Sequence, residues 1–276
     1  MIGRDTALGA LCLVALLPAY SHNDYRGRAP LTDALRLGYR GVEADVVLAN
    51  GRLLVGHDRS ELRAGRDLES LYMGPLADRL DARGRLLEGG EPFRLFVEFK
   101  IPRRGGIDSL RALLARYPRL VRPAASGEGA PLSVIVVGGT APAESPGDAE
   151  APPLVRYEAD VRDSGAARAL LLRNLLGMVS LDARRLSRWR DGAPPPEGWR
   201  DAVRRLAALK REGRGVIARV HHAAPRAEIY AFLVESGVDL IGSESLERSA
   251  RILGGVGGTG SPRIPEPPMD GPRVIR

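Results

Sequence analysis

Short apolar runs alternate with amphipathic segments along most of this 276-residue chain. Eight runs have the length and apolar content of strands that are buried on both faces. These runs lie at 18–22, 41–48, 94–99, 133–139, 154–159, 177–182, 215–221 and 238–243. Between most of them, apolar residues recur every three or four positions, which is typical of helices. Two of the predicted helices begin at Pro30 and Pro225 and end at Gly38 and Gly237, which are common boundary residues.

The order of these elements predicts the type of sheet. Strands that alternate with helices build a parallel sheet. A count of eight strands favours a closed (β/α)8 barrel over an open doubly wound sheet. No G-x-G-x-x-G sequence follows the first strand, which argues against a dinucleotide-binding open sheet. Residues 59–92 contain no clear strand, so we expect an excursion there, on the face of the barrel that carries the active site.

Both ends of the chain differ in character from its centre. The apolar run at 7–19 is too short to cross a membrane but suits the core of a signal peptide cleaved after Ala19. This interpretation predicts a secreted or periplasmic protein; the alternative is an N-terminal helix or strand of the fold in a cytoplasmic protein. Residues 140–153 are predicted to form a surface loop and 254–276 a disordered tail. A single catalytic domain is therefore expected over residues 20–253.

Composition narrows the possible partners. The formal net charge of +7 is compatible with nucleic acid, an anionic membrane or a phosphorylated substrate. However, the arginines are scattered and aromatic residues make up only 5% of the chain, so we expect no nucleic-acid binding. Peripheral contact with membrane lipid remains open. The single cysteine, Cys12, excludes an intramolecular disulfide.

Three acidic residues lie on neighbouring strands of the predicted barrel. Glu43 and Asp45 are two residues apart on the second strand, so their side chains share one face. Glu98 lies near the end of the third strand. Carboxylates buried close together need a compensating positive charge. A hard divalent cation with oxygen ligands, Mg²⁺ or Ca²⁺, would provide it.

Two histidines and a lysine accompany these acids. His22 ends the first strand, and His57 follows a short hairpin-like return from the second. Lys100 repeats the two-residue spacing after Glu98 and would attract a substrate anion. Two imidazoles that titrate near neutral pH suit an acid–base pair. Together with a metal ion, this set predicts phosphodiester cleavage.

The motifs "SHNDY", "PLTDALRLGYRGVEADVVLANGRLLVGHD" and "LFVEFK" resemble those of the phospholipase C-like superfamily of TIM-barrel phosphodiesterases. They are most similar to its metal-dependent glycerophosphodiester phosphodiesterase branch. Within that branch, "HNDY" resembles a subgroup that includes a fungal protein associated with altered inheritance of mitochondria. The motif-bearing part covers residues 20–100, and "GVDLIGSE" is similar to the last strand of the family.

The resemblance implies a role for each matching position. His22 and His57 would be the catalytic histidines, and Lys100 would lie near the phosphate. The metal ligands would be Glu43, Asp45 and Glu98. The best-known members have an arginine directly after the first histidine, where it contacts phosphate. Asn23 stands there in this chain, as a possible substrate-binding residue without charge.

Two other functions use the same residues. A sphingomyelinase D-like lyase would form a cyclic phosphate from a phospholipid. A non-catalytic barrel would serve as a binding module. Of the remaining polar residues at strand ends, His221 and Arg219 are expected to be rim or structural residues. For Asp182 and Glu244 two roles stay open, contact with a polar head group of the substrate or a salt bridge. Asp58 is expected to make local hydrogen bonds rather than to take part in catalysis.

Overall fold

Eight parallel strands close into a barrel in the computed structural model, which describes residues 15–100, 105–123, 129–138 and 154–256. The strands are β1 (Ala19–Ser21), β2 (Gly41–Ala49), β4 (Phe93–Phe99), β5 (Leu132–Val137), β6 (Arg156–Asp160), β7 (Leu176–Asp182), β8 (Ile217–His221) and β9 (Leu240–Ser243). Pairing of β1 with both β2 and β9 closes the barrel. A short β3 (Arg52–Val55) returns antiparallel to β2, as the predicted hairpin required. The predicted (β/α)8 fold is confirmed.

Helices follow most of the strands. They are α1 (Thr32–Arg36), α2 (Gly74–Arg83), α3 (Gly106–Ala115), α4 (Pro118–Val121), α5 (Ser164–Leu172), α6 (Glu197–Glu212), α7 (Ala227–Glu235) and α8 (Leu246–Val256). In the longest helix, α6, the buried residues recur at helical spacing: Trp199, Ala202, Val203, Leu206 and Leu209. This apolar stripe packs the helix against the barrel. Within the described ranges, no helix is both long enough and apolar enough to cross a membrane.

The interior of the barrel is divided into an apolar and a polar level. Its apolar level is a separate cluster of buried side chains: Tyr20, Phe96, Ile135, Val137, Met178, Ile217 and Leu240. Side chains alternate along a strand, so the residues two positions after Phe96 and Ile217 also face inward. These residues are Glu98 and Arg219. The strand register places Asp45 opposite Glu98 and Asp182 opposite His221. Polar groups from distant parts of the chain therefore meet at the carboxyl ends of the strands.

The structure corrects several predicted boundaries. Residues 59–92 lack a strand, as expected. Only part of this segment is an excursion, because it includes the helix α2, whose Leu76 and Leu80 are buried in the core. The predicted tail begins too early, since α8 continues to Val256. The rest of that tail and the predicted loop at 140–153 lie outside the described residues.

The N-terminal segment contributes to the barrel before the predicted cleavage site. Leu17 pairs with Tyr39 in an isolated bridge and is only 5% exposed. Ala19 is fully buried and is the first residue of β1. Cleavage after Ala19 would therefore remove part of the folded domain, so the proposed boundary between residues 19 and 20 is wrong for the fold. Export itself stays a prediction.

A chain that begins at Tyr20 is expected to be less stable than one that begins at Ala15. Loss of the buried Leu17 side chain alone removes about 1.5–3 kcal/mol of hydrophobic stabilisation. Chemical denaturation of both versions measures the difference, with the full chain as the reference. Equal midpoints for the two shortened chains would contradict a structural role for residues 15–19.

Candidate active site

A cavity of about 730 Å³ opens at the carboxyl ends of the strands. All four histidines of the chain line it, namely His22, His57, His221 and His222. It also brings together most of the other predicted site residues: Asn23, Glu43, Glu98 and Lys100. The remaining one, Asp45, is buried and contacts His57 and Lys100 in the wall of the cavity.

The three predicted metal ligands converge. One carboxylate oxygen from each of Glu43, Asp45 and Glu98 lies within 4.8 Å of the other two. The Oε2 atom of Glu43 and the Oδ1 atom of Asp45 are buried and accept no hydrogen bond from the described residues. Each has one nitrogen neighbour at 3.4 Å, His22 Nε2 for Glu43 and Lys100 Nζ for Asp45, so both oxygens have room for a closer partner. A hard cation bound by oxygen ligands fits them.

Two cations partly neutralise the acids. The Lys100 Nζ lies 2.8 Å from Glu98 Oε1 and 3.4 Å from Asp45 Oδ1. The buried Arg219 donates to Glu158 Oε1 at 2.7 Å and lies beneath the acidic cluster. If all six groups are ionised, four carboxylates and two cations leave two negative charges. This residual charge matches one divalent ion.

The pKa of Glu43 reflects its burial. Loss of hydration raises the pKa of this carboxyl to about 8, although Arg219 opposes the shift and the neighbouring Glu98 adds to it. Without a bound cation, Glu43 therefore holds a proton near neutral pH. A divalent cation would displace that proton and restore the carboxylate.

His57 is held by one of the predicted metal ligands. Its Nδ1 lies 2.8 Å from Asp45 Oδ2, which also accepts a hydrogen bond from the Tyr25 hydroxyl at 2.8 Å. The backbone N–H of His57 donates to Glu61 Oε2. Contact through Nδ1 leaves Nε2 for a proton transfer. Asp58 instead accepts hydrogen bonds from Ser60, as expected for a local role.

His22 lies between two acids. Its Nε2 is 3.4 Å from Glu43 Oε2, and its Nδ1 is 3.0 Å from Glu244 Oε1. Burial lowers the pKa of His22, although the hydrogen bond with Glu244 opposes this shift. The ring centre of His22 is 5.1 Å from that of His222 in an edge-to-face arrangement.

The residues of the HNDY motif contact His22 directly and reach His57 through Asp45. Asn23 adopts a left-handed backbone conformation with φ of 51°, which an asparagine tolerates better than most residues. Its side chain contacts His22 Nδ1 and the Tyr25 hydroxyl. Asp24 is buried and accepts the backbone N–H of Leu31 at 2.6 Å, which fixes the following loop. The motif therefore links the first histidine to Asp45 through Tyr25.

Some contacts differ from the sequence-based expectations. Lys100 lines the cavity and is also paired with two of the predicted metal ligands, a contact that the sequence did not predict. Asp182 forms the expected salt bridge, with Arg184, but it also contacts His222 Nδ1 at 3.1 Å. The roles of Tyr25 and Glu158 were missed. Tyr25 belongs to the HNDY motif, but the motif does not show that its hydroxyl reaches Asp45, and an acid on a strand carries no distinctive sequence pattern.

In the presence of a chelator, the protein is expected to lose stability as the pH rises from about 5 to about 8. The pKa of Glu43 in the folded protein, about 8, lies above the ordinary value of 4.5. Between these values the folded state binds more protons than the unfolded state, so the unfolding free energy falls with increasing pH. Chemical denaturation across this range measures the slope.

The variant Glu43→Gln provides the matched control, since it cannot titrate at this position. Subtracting its pH profile from that of the wild type isolates the contribution of Glu43. Identical profiles for the two proteins would show that the Glu43 carboxyl does not titrate abnormally.

Comparison with known proteins supports the resemblance seen in the motifs. The family model of the AIM6-like phosphodiesterase domain matches residues 11–90. Altered inheritance of mitochondria protein 6 of Eremothecium gossypii is 43% identical over 84 residues, which cover 29% of this chain and 22% of that protein. Its homolog in Arthroderma benhamiae is 46% identical over 70 residues, 23% of this chain and 22% of that protein. The aligned segment thus spans about a fifth of the length of each relative.

Solved structures extend the likeness to the whole barrel. A protein of Galdieria sulphuraria assigned to the glycerophosphodiester phosphodiesterases has a TM-score of 0.52 at 14% identity, covering 86% of this chain and 98% of its own. One of Silicibacter pomeroyi assigned to the same class has a TM-score of 0.50 at 13% identity, covering 87% of this chain and 93% of its own. Such low identity shows the fold alone. The motif-based resemblance is confirmed: residues 11–90 are similar to the AIM6-like phosphodiesterase domain, and the barrel shares its fold with these two solved structures.

Proposed function

We propose that this protein is a metal-dependent phosphoric diester hydrolase that acts on a glycerophosphodiester- or phospholipid-like substrate. One observation carries the proposal. The Glu43, Asp45 and Glu98 carboxylates offer a divalent ion oxygen ligands within 4.8 Å of one another. His22 and His57 line the same cavity as Glu43 and Glu98.

The shape and lining of the cavity support a substrate larger than a phosphate ion. Its volume of about 730 Å³ falls within the range of small-molecule sites. Ala166, Ala169 and Leu170 of α5 also line the cavity and contribute apolar surface. A polar phosphodiester would lie between the histidines, with an organic group against α5. Peripheral contact with membrane lipid would follow if that group is a lipid.

Each side chain of the site has its own role in the proposed hydrolysis. Asp45 holds His57 through Nδ1, so that Nε2 faces the reaction. His22 and His57 would transfer protons, one from the attacking hydroxyl or water and the other to the leaving oxygen. Mg²⁺ or Ca²⁺, when bound, would offset the charge on the phosphoryl oxygens. Lys100 keeps Asp45 and Glu98 in place, and Asn23 offers an amide where a charged residue would bind phosphate more strongly.

Removing a carboxylate ligand is expected to weaken both metal binding and turnover. In Glu43→Gln and Glu98→Gln, each substitution replaces a charged oxygen ligand of a hard cation with a neutral amide. Isothermal titration with Mg²⁺ or Ca²⁺ measures affinity, and a panel of phosphodiesters measures turnover. Glu69→Gln is the matched control, because Glu69 pairs with Arg116 and is not among the residues that line the cavity. Wild-type activity in a chelator would overturn the metal requirement.

Removing either histidine is expected to reduce turnover while metal affinity stays nearly unchanged. For His22→Ala and His57→Ala, the loss should be roughly 10²–10⁴-fold, the usual effect of one positioned acid or base. A nitrophenyl ester has a leaving group that barely needs a proton. It should therefore rescue the general-acid variant and not the general-base variant, which assigns the two roles. Full activity in both variants would overturn the proposed chemistry.

Phosphorus NMR of the products separates hydrolysis from a lyase reaction. An open phosphomonoester indicates attack by water. A cyclic phosphate indicates attack by a hydroxyl group of the substrate, as in the sphingomyelinase D-like alternative. Turnover of no phosphodiester, with or without a divalent ion, would favour the non-catalytic barrel.

A further inference from the structure

The cavity has a second wall, and of its polar residues the proposed hydrolysis uses His22 alone. Three of the four histidines of the chain meet there: His22, His221 and His222. Glu244 contacts His22, and Asp182 contacts His222. The fourth, His57, is held by Asp45 instead.

The backbone at His222 is in an unfavourable conformation for a histidine. Its φ of 57° lies in the left-handed region, which few non-glycine residues adopt. His221 is the last residue of β8 and His222 follows the strand, and both side chains line the cavity. The left-handed turn therefore brings the second imidazole to the same side, at a cost in backbone energy.

Asp182 orients His222 rather than serving as a free ligand. Its Oδ1 lies 3.1 Å from His222 Nδ1. Both oxygens also accept hydrogen bonds from the Arg184 guanidinium, so the carboxylate already has a cationic partner. Contact through Nδ1 leaves Nε2 of His222 to act as a ligand. A carboxylate that holds the other ring nitrogen is the usual support of a metal-binding histidine.

His22 presents its Nδ1 to the same region. This nitrogen contacts both the Asn23 amide nitrogen, at 3.3 Å, and Glu244 Oε1, at 3.0 Å. Either tautomer of His22 leaves one of these two contacts unsatisfied, because the amide nitrogen donates and the carboxylate accepts. A cation bound to both His22 Nδ1 and Glu244 would satisfy the carboxylate without a proton on Nδ1.

The spacing of these groups suits one ion. One ligand atom from each of His22, His222 and Glu244 lies within 4.8 Å of the other two. The ring centres of His22 and His222 are 5.1 Å apart. With Zn–N bonds of about 2.1 Å, two imidazoles on one tetrahedral ion have ring centres roughly 5 Å apart.

We propose that His22, His222 and Glu244 form a second metal site that binds a transition-metal ion such as Zn²⁺, with Asp182 orienting His222. Imidazole nitrogen selects zinc, copper or nickel, whereas the all-carboxylate triad suits Mg²⁺ or Ca²⁺. The two walls of the cavity therefore bind different metals. Since His22 is also a proposed acid–base residue, occupancy would reduce hydrolysis; that consequence rests on the proposed function, and the site itself does not.

Cobalt binding to the full chain tests the site without any activity measurement. Co²⁺ replaces Zn²⁺ and gives visible absorption that reports nitrogen ligation. The protein is first saturated with Mg²⁺ to fill the carboxylate triad and is then titrated with Co²⁺. We expect one further equivalent to bind, with the absorption of an imidazole-ligated ion. Retention of no Co²⁺ under these conditions would overturn the proposal.

Variants on the two walls locate the ion. His222→Asn and Glu244→Gln should each weaken Co²⁺ binding at least tenfold, and Asp182→Asn by about 10–100-fold. Asparagine tolerates the left-handed conformation at position 222, so this variant should keep the fold. His57→Asn, a histidine variant of the opposite wall, should bind Co²⁺ like the wild type. If Glu98→Gln abolishes the Co²⁺ absorption and His222→Asn does not, the ion lies in the carboxylate triad and the proposal is wrong.

Discussion

Buried negative charge at the centre of the barrel is the constraint on which the rest of the site depends. Glu43, Asp45, Glu98 and Glu158 meet there, and among the described residues Lys100 and Arg219 are the cations that pair with these acids. Buried carboxylates without a close cation destabilise the folded protein, because the free-energy cost of desolvation exceeds the stabilisation that distant positive charges provide. The raised pKa of Glu43 is the direct consequence. A divalent ion would satisfy the two buried oxygens that accept no hydrogen bond from the described residues, so that the stability of the centre and its proposed chemistry depend on the same ion.

The barrel can hold this charge because its interior has two levels. The apolar cluster around Phe96 and Met178 closes the inside of the barrel, and the charged residues lie nearer the carboxyl ends of the strands. Arg219 joins the two levels, because its guanidinium lies over the rings of Tyr20 and Phe96 while it donates to Glu158. The cavity above has an acidic wall from β2 and β4 and an imidazole wall from β1 and β8. In each wall an aspartate holds a histidine through Nδ1, as in Asp45–His57 and Asp182–His222.

Much of the fold and the acidic site was predictable because their causes are local. Apolar runs of strand length marked all eight parallel strands, and two-residue spacing placed Glu43 and Asp45 on one face. The errors arose where the local pattern is ambiguous. The run at 7–19 predicts a cleavage site after Ala19, yet Leu17 and Ala19 are buried in the barrel. The glycines after Leu253 suggested a tail, whereas α8 continues to Val256.

The sequence by itself determined which residues face the interior and at which end of the barrel they lie. Periodicity and chain order are sufficient for both, since parallel strands with helical crossovers all end at the same face. The tertiary structure alone decided the partners: Asp45 with His57 and Tyr25, and Glu244 with His22. His22 and Glu244 are 222 residues apart in the chain, and their contact exists only because β1 pairs with β9 when the barrel closes. Register between distant strands depends on the packing of the whole core, and no local pattern encodes it.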